Sequence, residues 1–134
     1  MSWTYEIVSG RMYNAEMEVV GVGYSGAGEY KNNASAQSVK DQGPIPEGNY
    51  VINPPVDTVT HGPYVMWLTP DPRNLMWGRS GFGIHGDSVV NPGTASEGCV
   101  IQSKDVRLRI WESGDHDLEV VAGPLTMSGS GAGG

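Results

Sequence analysis

Cys99 is the single cysteine of this 134-residue chain, and it ends the segment Ser96-Glu97-Gly98-Cys99, fourteen residues after the histidine of His85-Gly86-Asp87. A lone thiol cannot cross-link a fold, so it is either a small buried residue or a nucleophile. A nucleophile needs an accessible sulfur and a route to the thiolate, which an adjacent base or inward-pointing amides supply. His85 is the candidate base; it would take the thiol proton and later hand it to a leaving amine. Gly98 lets the main chain approach a substrate carbonyl closely, and the Gly98 and Cys99 amides are the expected oxyanion donors. Ser96 is expected to orient this turn or to add one hydrogen bond. Two groups compete to orient the imidazole: Asp87, on the same face of an extended chain, and a backbone carbonyl such as that of Gly86.

Substrate contacts are expected from residues flanking these two. Arg79 and Ser80 lie just before the histidine segment, and Arg79 suits either bidentate pairing with a substrate carboxylate or an ordinary surface salt bridge. Asp87 can read a substrate amine or cap its loop. Tyr24 and Trp77 stand in or near glycine-rich loops and are candidates to line a groove; Trp67, Trp77, Phe82 and Trp111 also read as core. His61, beside Gly62-Pro63, reads as structural or surface, and His116 as a solvated connection. A metal needs three or four converging ligands. His85, Asp87 and Cys99 offer no obvious fourth, so no metal and no cofactor is expected.

These residues need short strands to hold them. Trp3 to Val8 reads as a strand returned by Ser9-Gly10 into Arg11-Met12-Tyr13, and Glu16 to Val22 as the next. Tyr24 to Gly28 reads as a loop, and Lys31 to Gln42 as loop or short helix. Gly43-Pro44-Ile45-Pro46-Glu47-Gly48 is a rigid turn that releases a strand over Asn49 to Ile52. Tyr64 to Leu68 and Phe82 to His85 are further strands, the latter delivering His85 at its end. Ser103 to Trp111 is open between two readings. Val106, Leu108 and Ile110 alternate as in a strand, whereas Ser103, Asp105 and Gly114 suit helix termini. Leu118 to Val121 is the last strand, giving six to eight in all and at most one helix.

Twenty glycines and nine prolines fit such punctuated strands. Eight basic against fifteen acidic residues, a net charge of -7, argue against a nucleic-acid binder. The first residues have no basic segment followed by an apolar run, so neither a signal peptide nor membrane insertion is expected. Residues 1–125 read as one domain, and 126–134 as a flexible Gly/Ser-rich tail.

His85-Gly86, a loop, and Ser96-Glu97-Gly98-Cys99 resemble the active-site signature of the bacterial cell-wall L,D-transpeptidases. Further segments extend the likeness nearly end to end. Tyr24-Ser25-Gly26, Lys31-Asn32-Asn33, Gly43 to Gly48, Leu68-Thr69-Pro70, Gly78 to Phe82, Ile84 to Asp87, Pro92 to Cys99 and Trp111 to Asp117 are similar to L,D-transpeptidase-like toxins delivered by type VI secretion. The resemblance implies a mainly β fold, an L,D-transpeptidase-like β-sandwich with one short helix after the cysteine strand, over Ser103 to Glu112. It implies a cysteine enzyme acting on peptidoglycan stem tetrapeptides, in which Cys99 attacks the third residue's carbonyl and releases D-Ala. It also implies a cognate immunity protein, contact with the type VI machinery, synthesis in a producer's cytoplasm and action in a target cell's periplasm. A housekeeping crosslinking fragment and a non-catalytic peptidoglycan-binding module are the alternatives. One departure stands out: housekeeping relatives carry an arginine in Gly-Cys-x-Arg, whereas Val100-Ile101-Gln102 follows Cys99 here. Arg79 is the expected substitute for that charge.

Overall fold

A computed structural model describes residues 2–125. The tail expected over 126–134 lies outside the described residues. The described chain is mainly β, with ten strands and one α-helix. In chain order the strands are β1 (Trp3–Glu6), β2 (Arg11–Tyr13), β3 (Val19–Val22), β4 (Tyr24–Ser25), β5 (Gly48–Ile52), β6 (Val56–Thr58), β7 (Gly62–Pro70), β8 (Gly83–His85), β9 (Val100–Ile101) and β10 (Asp117–Val121). The helix α1 (Lys104–Glu112) lies between β9 and β10.

The strands run in the order β3-β2-β1-β10-β5-β7-β8-β9-β4, with β6 paired to β7. The nine-residue β7 is the shared member. Its Leu68 to Pro70 pair with β5, and its Met66 and Trp67 pair with β8. The two ends of the order, β3 and β4, are joined in the chain by Gly23 alone, so the sheet curls back on itself. Only glycine fits at this corner: a Cβ on Gly23 would sit 1.6 Å from the Ile101 carbonyl oxygen, and one on Gly10 1.9 Å from the Gly23 oxygen.

Alternation sets which side chains fill the curled sheet. Tyr50 and Ile52 of β5 and Leu118 and Val120 of β10 point inward, while Asn49, Val51 and Glu119 point out. They meet Tyr5, Ile7, Met12, Ile45, Met66, Ile84 and Val100, and α1 covers this core with Val106 and Ile110. The helix outcome settles the open reading of Ser103 to Trp111. Ser103 caps it, its side chain accepting from Val106 N–H at 3.3 Å, and Asp105 stands in the first turn.

Three expectations need correction. Tyr24-Ser25 is not loop but strand β4, paired antiparallel with β9. The strand count is ten, because β4 and β6 are too short to show alternation. Trp77 is not core: it is 45 % exposed, whereas Phe82 is buried and Trp67 and Trp111 are half-buried.

Candidate active site

The register of two strands brings the histidine and cysteine segments together. β8 and β9 run parallel, with Ile84 opposite Val100 and His85 opposite Ile101. Continued back by one residue, this register sets Cys99 opposite Gly83. Residues opposite each other in a sheet share a face, as do residues two apart along a strand. His85 and Cys99 therefore project from one face, one diagonal step apart. Both line an open cavity of about 1000 Å³. Gly83 keeps this step clear, since a Cβ there would stand 2.8 Å from the Trp67 ring.

The cysteine segment is pinned from behind by two buried serines. Ser96 Oγ donates to the Cys99 carbonyl at 2.6 Å and accepts from Gly26 N–H at 2.9 Å and Gly98 N–H at 3.0 Å. Ser25 Oγ donates to the Gly98 carbonyl at 2.8 Å and accepts from Ile45 N–H at 2.9 Å. Ser96 thus orients the turn. The Gly98 N–H, expected as an oxyanion donor, is instead spent on Ser96; of the expected pair, the Cys99 N–H is left. Gly98 itself has φ +143, and a Cβ on it would lie 2.7 Å from both Arg79 Nη2 and the Phe82 ring.

His85 is held by a carbonyl rather than a carboxylate. Its Nδ1 lies 2.9 Å from the Gly86 oxygen, which requires the proton on Nδ1 and leaves Nε2 as the lone-pair nitrogen. Nε2 is buried and has no hydrogen-bond partner among the described residues. Asp87 lines the same cavity but makes no hydrogen bond to His85. Its carboxylate accepts from Tyr24 Oη at 2.6 Å and from the Ser88 and Gly93 amides at 2.8 and 3.0 Å, folding the loop that carries Ser88 to Gly93. Tyr24 Oη in turn accepts from Ala95 N–H at 2.8 Å. Tyr24 is therefore a buried brace behind the loop, outside the cavity wall, and Trp77 is also absent from that wall. Ser80 is exposed and lines the cavity.

Arg79 is correctly located but differently employed. It is buried, and its guanidinium donates to the carbonyls of Gln37, Pro44, Gly43 and Glu97 at 2.5, 2.9, 2.8 and 3.2 Å. Both terminal nitrogens are thus taken up by main chain, which corrects its expected role as a carboxylate receptor. It ties the Gly43-Pro44 turn to Glu97, the residue before Gly98.

Two further residues line the cavity: His61, read from sequence as structural or surface, and Arg107, given no site role there. His61 packs its ring edge-on to His85, with centroids 5.0 Å apart, and also against Trp67 at 5.1 Å. Arg107 of α1 reaches under Gly86, where a Cβ would lie 2.7 Å from Arg107 Nη2. No spacing signal marks either one; both arrive from distant segments.

Burial keeps the pair neutral. It pushes the Cys99 thiol up to about 11, and Glu97 adds to this while a Gly83 backbone hydrogen bond opposes it. Burial also lowers the His85 pKa; the Gly86 carbonyl opposes the shift, and His61 and Arg107 add to it. The sulfur's hydrogen bond runs to the Gly81 carbonyl at 3.7 Å and not to His85. With both groups neutral, the arrangement can pass a proton from thiol to imidazole in the course of attack, without a resting thiolate–imidazolium pair. Among the described residues no group of three or more His, Cys, Asp or Glu side chains can hold a metal ion, and no helix is long and apolar enough to cross a membrane.

Compared with protein-family models, the chain matches the one described as Tlde1 domain, over residues 20–123. Searches of curated proteins and of solved structures gave no match.

Proposed function

The chain belongs to the Tlde1 domain family of L,D-transpeptidase-like type VI secretion effectors, and from that premise we propose that it is a cysteine L,D-carboxypeptidase and L,D-transpeptidase acting on peptidoglycan stem tetrapeptides. The observation that carries the reading is the β8/β9 register, with His85 and Cys99 on one face of one cavity and His85 Nε2 without a hydrogen-bond partner among the described residues.

The chemistry follows from these positions. Cys99 Sγ attacks the carbonyl of the third stem residue while His85 Nε2 takes the thiol proton. The Cys99 N–H stabilises the oxyanion. Collapse breaks the bond to D-Ala, and His85 returns its proton to the departing amine. The thioester is then opened by water, giving a tripeptide, or by the amine of a D-amino acid, giving an exchanged tetrapeptide; His85 takes a proton from either nucleophile. Trimmed or exchanged stems no longer serve the crosslinking enzymes of a wall, which is the proposed toxicity. The proposed setting is the periplasm of a target cell, after delivery by type VI secretion. The proposed further partner is a cognate immunity protein of the producer that covers the cavity.

Mass spectrometry of muropeptides incubated with the protein, with and without a D-amino acid, tests this. Loss or replacement of terminal D-Ala is expected with the intact chain and not with Cys99→Ala. Unchanged stems with both proteins, while Cys99 is intact and alkylatable, would overturn the substrate assignment.

A further inference from the structure

Arg107 is 5 % exposed, and its charge has no carboxylate partner. The one ion pair among the described residues is Arg73–Asp71, on the surface. Four main-chain carbonyls hold the Arg107 guanidinium. Nε donates to the Gln102 and Ser103 oxygens at 3.1 and 3.4 Å, and Nη1 to the Pro63 and Tyr64 oxygens at 2.8 and 2.9 Å. Nη2 makes no hydrogen bond to any described residue, lies against Gly86, and belongs to a side chain that lines the cavity. A buried cation fixed on one edge and unspent on the other is organised for an anion, because its desolvation and ordering are already complete. The other free cations of the wall, Lys40 and Lys104, are exposed and lack such fixation.

The position of Nη2 selects which anion. Gly86 follows His85, and His85 protonates the departing amine. In a terminal D-amino acid the carboxylate is one carbon from that amine, so it comes to rest on the His85–Gly86 side of the cavity. We infer that Arg107 Nη2 binds the C-terminal carboxylate of the leaving D-amino acid, and so makes the enzyme specific for stems with a free terminal carboxylate. The same nitrogen holds the carboxylate of an incoming D-amino acid, because exchange retraces the same bond. Arg107 thereby meets the need for positive charge left open after Cys99, from the helix and not from the Gly-Cys-x-Arg position. This inference rests on the acyl-transfer reading above.

The test compares a stem tetrapeptide ending in D-Ala with its C-terminal carboxamide, for the wild-type chain, Arg107→Gln and Arg107→Lys. A charge-assisted hydrogen bond predicts that the wild type prefers the acid by about tenfold to a hundredfold in kcat/KM, carried mainly in KM. Arg107→Gln should bring that ratio close to one, with Arg107→Lys between. D-Alanine and D-alaninamide as acceptors should give the same pattern. Equal use of acid and amide by the wild type overturns the inference and needs no variant to fold. An equal drop on both substrates in Arg107→Gln also overturns it and reduces Arg107 to a brace. Wild-type inactivity on both substrates overturns the acyl-transfer reading itself, and the inference with it.

Discussion

Two buried arginines stand behind the two halves of the site, and they are spent differently. Arg79 packs on Gly98, the residue before the cysteine; Arg107 packs on Gly86, the residue after the histidine. Each guanidinium is held by four main-chain carbonyls. Arg79 distributes these bonds over both terminal nitrogens, so its whole fork is structural. Arg107 directs them through Nε and Nη1 and leaves Nη2 without a hydrogen bond to any described residue, on a side chain that lines the cavity. A buried charge is therefore not informative until its donors are counted: the same residue type, at the same depth, is a staple on one side and a receptor on the other.

The strongest way to probe the contrast between the two halves is pH. With the thiol pushed up to about 11 and the imidazole lowered, both are neutral at pH 7. Alkylation of Cys99 by iodoacetamide follows the thiolate, so its rate should rise about tenfold per pH unit from 7 to 10, roughly a thousandfold in all. Turnover follows neutral His85 and should stay flat through neutrality, falling only as pH drops below the usual imidazole range. An alkylation rate already level at pH 7 would mean a resting ion pair.

Gly98→Ala should be the most damaging single change on the cysteine side. It forces a side chain to φ +143 and into Arg79 and Phe82, at about 4 kcal/mol by denaturant unfolding. Arg79→Met leaves four carbonyls without their donor and should cost about 3 kcal/mol, with turnover of acid and amide substrates reduced alike. Gly86→Ala meets Arg107 Nη2 without backbone strain, and should cost about 2 kcal/mol. That cost should shrink when Arg107→Gln is made in the same chain, since the two residues are in contact. Independent, additive effects would dissolve the proposed Gly86–Arg107 contact.

The residues that make local contacts were legible. Alternation found β8, the Pro/Gly turn before β5 was plain, and the glycine-flanked Cys99 and His85 were readable as a pair. The Gly86 carbonyl was one of two open choices for orienting His85, and the structure selects it. What escaped depends on partners far away in the chain. Tyr24-Ser25 looks like loop because its strand character comes from β9, more than seventy residues on. Asp87 stayed open between orienting His85, reading a substrate amine and capping its loop; the structure shows the loop cap, fixed by a Tyr24 contact that is equally remote. Arg79 carried a visible charge, but the carbonyls that consume it were invisible. Arg107 was hidden by the open choice between strand and helix. Only a helix turns its guanidinium toward Pro63 and Tyr64, forty-four and forty-three positions earlier.

The pairing of β1 with β10 has a consequence for how the molecule is born. Trp3 lies opposite Leu118 in parallel register, and β10 sits in the interior of the strand order, between β1 and β5. The last of the described strands to be synthesised is therefore not an edge that can be added to a finished sheet. Until residues 117–121 emerge, the N-terminal hairpin and the strands that carry His85 and Cys99 lack the member that bridges them. A pairing so distant in sequence is also slow to close. Assembly of the site is thus deferred until residues 117–121 are available, and a product ending before them carries His85 and Cys99 without the scaffold that makes them a pair.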